Sequence, residues 1–272
     1  VDYDADGRTD IVTGSYTGQL YLFRRLADDT FAQREVFVNA EGKTLVLPKE
    51  LGYSIVPELV DMDADGDLDL VIGTRSGAAQ VVTNSGTRSQ PVWSDGFHEL
   101  RTEQGVVIKG SNAHHADWDG DGVRDLVLGS EHGTVVWHRN VGKNDEPRYG
   151  KRQVLIKPQG SSRSPQGSTP KRHGGRVKVH VTDYNGDGRA DLLVGDVTWQ
   201  QDPPKALTKK ELKAKRKLEN ELNRKQLQLV RMKPGKERDA LQKSIKEDTT
   251  KVFAYQRTKT HTHGFVWVYL RK

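Results

Sequence analysis

Four short stretches of this sequence gather carboxylates at a spacing suited to holding a metal ion. Asp2-Tyr-Asp4-Ala-Asp6-Gly7-Arg8-Thr-Asp10 is followed by Ile-Val-Thr-Gly14. The same frame returns as Asp61, Asp63, Asp65, Gly66, Asp67 and Asp69, as Asp117, Asp119, Asp121, Gly122, Val123 and Asp125, and as Asp183, Asn185, Asp187, Gly188, Arg189 and Asp191. Carboxylates at positions 1, 3, 5 and 9 of one tight loop repel one another unless a cation sits among them. Glycine at position 6 gives the positive φ that lets the chain wrap. Hard oxygen ligands with a backbone carbonyl near position 7 suit Ca²⁺ at about 2.3–2.6 Å, whereas Mg²⁺ prefers to keep several of its waters. Zn²⁺ normally takes His or Cys, which these loops lack. The alternative is an Asx turn closed by hydrogen bonds alone, with no metal. An EF-hand is excluded, because it needs a bidentate Glu at position 12 between two helices; Thr13, Ile72, Leu128 and Val194 stand there instead.

The elements that must position these loops are strands. Each loop runs directly into an apolar, β-rich stretch (DIVTG, DLVIG, DLVLG, DLLVG). Three loops are preceded by a β-rich run, over 53–60, 112–116 and 176–182. Gly18, Gly77 and Gly133 open a further strand, and another run ends each of these units. The first aspartates fall at 2, 61, 117 and 183, spacings of 59, 56 and 66 residues. Four short antiparallel strands per unit of about 60 residues is the pattern of a propeller blade, stable only when stacked on its neighbours.

On these motifs residues 1–200 and 264–272 resemble the FG-GAP/VCBS repeats of integrin-type calcium-binding β-propellers, bacterial type. The resemblance implies an all-β fold of about four recognisable blades, part of a larger ring, since family propellers commonly have seven. It implies up to four Ca²⁺, one per loop. The side-chain ligands would be Asp2, Asp4, Asp6 and Asp10; Asp61, Asp63, Asp65 and Asp69; Asp117, Asp119, Asp121 and Asp125; and Asp183, Asn185, Asp187 and Asp191. The carbonyl would come from Arg8, Asp67, Val123 and Arg189. Asn185 lowers the ligand charge and marks the fourth loop as the weakest.

Between Gly195 and Gly264 the sequence changes period. Three blades separate the matching glycines by four residues, and the fourth separates them by 69. Thr208-Lys-Lys-Glu211 is a capping box, Pro234-Gly235 breaks the run, and a second helix is expected from Lys236 to about Asp248. The domains are therefore blades over 1–202, a basic helical hairpin over 203–260, and a closing strand over 261–272. Residues 158–176 (PQGSSRSPQGSTPKRHGGR) read as a flexible loop, and His261 and His263 as loop residues.

Composition narrows the classes. Of 272 residues 34% are hydrophobic and mean hydropathy is -0.75. The whole chain carries a net charge of +6, but residues 201–251 alone, with 16 basic and 8 acidic side chains, carry +8, and the rest is nearly neutral at -2. Lysines there alternate with glutamates and lack the aromatics that stack bases, which disfavours nucleic acid. The hairpin is expected to be solvated, or to contact a partner or another blade. No apolar stretch approaches the length of a membrane helix. Cysteine is absent, which removes thiol chemistry and disulfides. Val1 stands first with no signal peptide after it, as in a processed product or fragment.

Catalytic fingerprints are missing: there is no G-x-S-x-G elbow, no H-E-x-x-H and no phosphate loop. Three residues before the internal loops stand Glu58, His114 and His180, with His115 adjacent, expected to ring the blade axis as hydrogen-bonded polar groups or a second ligand site. The expected function is an extracellular, cell-surface or periplasmic module that binds protein or glycan, with structural Ca²⁺. The alternatives are a propeller domain of a calcium-dependent polysaccharide-degrading or other hydrolytic enzyme, and an intracellular scaffold joined through the hairpin. The balance leans away from an enzyme.

Overall fold

The computed structural model describes residues 1–158, 163–165, 167–203, 206–255 and 258–272. Residues 159–162 and 166 of the expected flexible loop, and 204–205 and 256–257 of the expected hairpin, lie outside the described residues. The chain divides into two compact units: Val1–Ser162, Pro170–Thr198 and His263–Lys272 form one, and Arg163–Thr169 and Trp199–Thr262 the other.

The first unit is built of antiparallel meanders. β1 (Ile11–Gly14), β2 (Leu20–Phe23) and β3 (Glu35–Val36) form one sheet. β4 (Val56–Val60), β5 (Asp69–Gly73), β6 (Gln80–Val82) and β7 (His98–Glu99) form the second. β8 (Asn112–Ala116), β9 (Asp125–Gly129), β10 (Val135–His138) and β11 (Gln153–Ile156) form the third. After β12 (Arg163–Pro165), the fourth sheet pairs β13 (Gly175–Thr182) with β14 (Asp191–Gln201). The repeat is exact in register: Asp69 lies opposite Val60, Asp125 opposite Ala116 and Asp191 opposite Thr182. The second, third and fourth aspartate loops thus join the first strand of a sheet to the second, and the first loop leads into β1.

Three apolar clusters hold successive sheets face to face. Leu70 and Ile72 of β5 share a cluster with Leu20, Leu22 and Phe37 of the first repeat, closed by Trp93 from the segment between β6 and β7. Val71, between them, points the other way and joins Leu126 and Leu128 of β9. Val127 in turn packs with Val177, Val179 and Val194. β5 and β9 are buried on both faces, so their sequences are continuously apolar instead of alternating. The glycine closing each of these strands permits the contact: a Cβ on Gly73 would lie 2.4 Å from Asn112 Cα, and one on Gly129 2.2 Å from the Val177 carbonyl oxygen. Asn112 ties the third sheet to the fourth, donating to the Val179 carbonyl (3.0 Å) and accepting from the Val179 N–H (3.1 Å).

The second unit starts where β14 runs on past Val197. Trp199–Gln201 pair in parallel with β12, and Gln200 accepts from the Gly167 N–H (3.0 Å) and donates to the Ser168 carbonyl (2.7 Å). This corrects the expectation of an unstructured stretch there: the alternating end of β14 offers a strand edge. α1 (Lys209–Arg231) starts at the capping box, with Glu211 N donating to Thr208 Oγ1 (3.2 Å) and Thr208 N to Glu211 Oε2 (2.8 Å). α2 (Lys236–Ala254) extends six residues past the expected end, where Val252 continues the stripe of Ile245. Leu218, Leu222, Leu241 and Ile245 are half-buried, and Asp248 is buried with Lys225 Nζ at 2.5 Å. β15 (Thr260–His263) also pairs with β14, which places His261 and His263 on a strand and not in a loop. β16 (Val266–Tyr269) returns to the fourth sheet beside β14.

Candidate metal centres

The loop frame assigns each position a separate task. The position-1 carboxylate folds the loop around itself: Asp117 accepts from the N–H groups of Gly120 (2.7 Å), Asp121 (3.1 Å) and Gly122 (2.9 Å), and Asp183 does the same for Gly186, Asp187 and Gly188. Asp2 accepts from Asp6 and Gly7, and Asp61 from Gly66. The position-5 carboxylates Asp6, Asp65, Asp121 and Asp187 accept from the N–H of the position-7 residues Arg8, Asp67, Val123 and Arg189.

Position 9 is a structural tie. Asp10, Asp69, Asp125 and Asp191 are buried, and one oxygen of each accepts from the position-2 N–H of Tyr3, Met62, Trp118 or Tyr184. The other oxygen accepts from Arg25, Asn84, Asn140 or Arg271, beyond the end of the next strand. Burial pushes the Asp69 and Asp125 carboxyls up despite these bonds. The regular spacing identified these residues, but their two-sided clamp depends on a strand pairing that spacing does not contain.

Carboxylate oxygens converge in three loops. One oxygen each from Asp2, Asp4 and Asp6 lie within 4.8 Å of one another, as do those of Asp61, Asp63 and Asp65, and those of Asp117, Asp119 and Asp125. Among the described residues the fourth loop forms no such group, and Asn185 Nδ2 donates to Asp187 Oδ2 (3.1 Å). In each converging loop a buried oxygen has no hydrogen-bond partner: Asp4 Oδ1, Asp61 Oδ1 and Asp119 Oδ1, with Asp67 Oδ1 beside the second. Orphaned carboxylate oxygens are costly in a fold, and an oxygen-seeking cation supplies what they lack. The donor set therefore fits Ca²⁺.

The loops differ in built-in compensation. Arg24 pairs with Asp4, and Arg139, at the matching repeat position, holds Asp119 (2.6 Å) and Asp121 (2.7 Å). Thr83 and Leu270 occupy that position in the second and fourth repeats. The second loop instead adds a fifth carboxylate, Asp67, whose burial and repulsion from Asp65, Asp69, Asp63 and Asp61 push its pKa up to about 6. The loop spacing does not reveal these arginines, because they lie a strand away from the loops they serve.

Glu58, His114 and His180 touch in sheet order. Glu58 binds His114 Nδ1 (2.9 Å) and His115 Nδ1 (2.7 Å), the His114 and His180 rings are 4.6 Å apart, and His115 Nε2 meets the buried Tyr149 hydroxyl (3.0 Å). Burial pushes the Glu58 carboxyl up, but the two imidazoles together outweigh it and hold the pKa at about 2. Among the described residues these side chains form no group with metal-ligand spacing.

Residues 117–194, from the third loop into the strand after the fourth, match the family model of the FG-GAP-like repeat. This supports the FG-GAP resemblance over that stretch. No curated protein matches the chain. Among solved structures it is similar to a chain of the Photorhabdus luminescens Tc holotoxin pore, with 21% identity over 70% of this chain and a TM-score of 0.36. The match spans 8% of that much longer chain.

Proposed function

We propose that this chain is a calcium-stabilised FG-GAP/VCBS β-propeller module, extracellular, cell-surface or periplasmic, that binds protein or glycan. The observation that carries this reading is the same aspartate loop folded four times in one frame, three of them with converging carboxylates and orphaned oxygens. The ion is structural: it neutralises the loop and locks the turn between two strands. The second loop would form the strongest site, with Asp61, Asp63, Asp65 and the Asp67 carbonyl around the ion, because that loop carries five carboxylates in all and no arginine at the position of Arg24. At the first and third loops calcium competes with Arg24 and Arg139, and the fourth is weakest. A larger ring is consistent with exposed apolar side chains on the end sheets, Ile11 and Val36 at one end and Val266 and Val268 at the other.

Extracellular modules bind Ca²⁺ with Kd of roughly 10⁻⁴–10⁻³ M, so 10 mM calcium would add about 1.4–2.7 kcal/mol per filled site. For a unit of this size one such site raises the melting temperature by about 3–10 °C. Thermal unfolding in EDTA, then across a calcium titration with magnesium as control, is the test. A calcium-specific rise is expected. A folded chain whose melting temperature ignores calcium would make the loops self-satisfied turns and overturn the proposal.

A further inference from the structure

The aspartate loops lie where first strands lead into second strands; the opposite strand ends carry another polar constellation, set out by the same repeat. Two residues beyond the glycine that ends each second strand, or its counterpart in β14, stand Tyr16, Arg75, Glu131 and Val197. All four line one cleft of about 560 Å³ in the first unit, to which β13 adds Arg176 and Lys178. The repeats are nearly identical in their loops and glycines, yet tyrosine, arginine, glutamate and valine alternate at this position. The scaffold therefore requires none of them. The repeat supplies a common location, and the side chains vary there independently of the fold.

Arg75 forks onto Glu131, with Nε 2.6 Å from Oε2 and a second, shorter contact to Oε1, and Arg176 Nε approaches the same carboxylate at 3.4 Å. Lys178 Nζ donates to the Ser111 carbonyl at 2.5 Å. Burial, helped by Arg75, pushes the Lys178 ammonium down to about 8, which leaves it mostly charged at neutral pH. The remaining carboxylate, Asp196, is occupied by the N–H groups of Phe265 (3.0 Å) and Gly174, by Trp267 Nε1 (3.1 Å) and by Thr198 Oγ1 (3.2 Å). Three cations against two carboxylates leave a surplus of one positive charge. Arg176 also holds a left-handed backbone, φ 54°, which Ser54 shares at the matching position. Non-glycine residues kept in that region concentrate at ligand clamps. Tyr16 is 64% exposed, with its ring 5.2 Å from that of Tyr53, and Phe265 lines the far wall.

We propose that this cleft binds a monocarboxylate of saccharide size, its carboxylate held by Arg75, Arg176 and Lys178 and its ring body set against Tyr16 and Phe265. Guanidinium forks match a carboxylate in plane and spacing. A single surplus charge balances a monoanion and not a phosphate dianion. The volume lies within the range of small-molecule sites, and Glu131 offers an acceptor for sugar hydroxyls. The inference extends the interaction-module reading by naming a ligand class, but it uses none of the loop aspartates.

The test is calorimetric titration of the whole chain with galacturonate, glucuronate, galactose and inorganic phosphate, in calcium and in EDTA, with melting temperatures recorded alongside. At least one uronate is expected to saturate the cleft, with galactose and phosphate at least tenfold weaker. Arg176→Gly relieves the left-handed backbone while removing the guanidinium. It is expected to weaken uronate binding at least tenfold without lowering the melting temperature, and Lys178→Gln to weaken it similarly. Failure of both uronates to bind, equal binding of galactose or phosphate, or undiminished binding by the folded Arg176→Gly chain would each overturn the proposal. Uronate binding in a chain whose melting ignores calcium would sink the metal reading and leave the cleft standing.

Discussion

Glu58 is the residue through which one repeat grips the next: its carboxylate takes the His115 backbone N–H at 3.0 Å as well as both imidazoles. Its pKa of about 2 lies below the ordinary glutamate value, so the folded chain binds that proton more weakly than the unfolded chain does. The stabilisation is complete above the unfolded value, about 4.3, and is lost as pH falls through about 2. Glu58→Gln should therefore cost roughly 3 kcal/mol at pH 5, and the gap to the parent chain should close by pH 2. Denaturant unfolding of both chains across that range measures it. A gap independent of pH would mean that Glu58 acts through shape and not through charge. The residue pattern placed Glu58, His114 and His180 at one repeat position, and that much was legible. Their order of contact was not, because it depends on how far successive sheets are offset.

At the scale of elements, the second strands were legible because burial on both faces leaves no alternation to misread. The turn glycines were legible as markers, but their reason was hidden. Gly129 is needed because β13 passes against it, with the Val177 carbonyl 2.2 Å from where a Cβ would stand. Its counterpart Gly195 has only the Lys178 carbonyl, at 3.9 Å. The same substitution should then have unequal consequences at equivalent positions. Gly129→Ala pushes backbone against backbone and should cost about 3 kcal/mol or more, the upper end of overpacking. Gly195→Ala should be neutral within about 0.5 kcal/mol. Equal losses would mean that glycine serves the strand itself rather than the approach of the next sheet. The parallel pairing of β12 was invisible in sequence, since its partner lies some 35 residues away in a stretch of otherwise ordinary β pattern.

At the scale of the whole molecule, the chain combines a stack of repeats with a long charged insertion, and their stabilities should separate. The three apolar clusters are built wholly from first-unit residues. The helical hairpin rests on half-buried leucines, its capping box and the Lys225–Asp248 pair, all its own. The chain leaves and returns through neighbouring positions, with Asp202 N donating to the Lys259 carbonyl at 3.0 Å. A short glycine linker in place of residues 203–258 therefore has little distance to span, and loop closure depends only weakly on length. Repeat arrays gain stability from adjacent units and not from a remote insertion. The shortened chain should lose most of its helical circular dichroism. It should keep the parent's melting temperature within about 2 °C, less than the shift expected from 1 kcal/mol, together with the same response to calcium. If the strands fail to fold, or the calcium response vanishes, the insertion is an integral part of the fourth repeat and the division into two units has no energetic meaning.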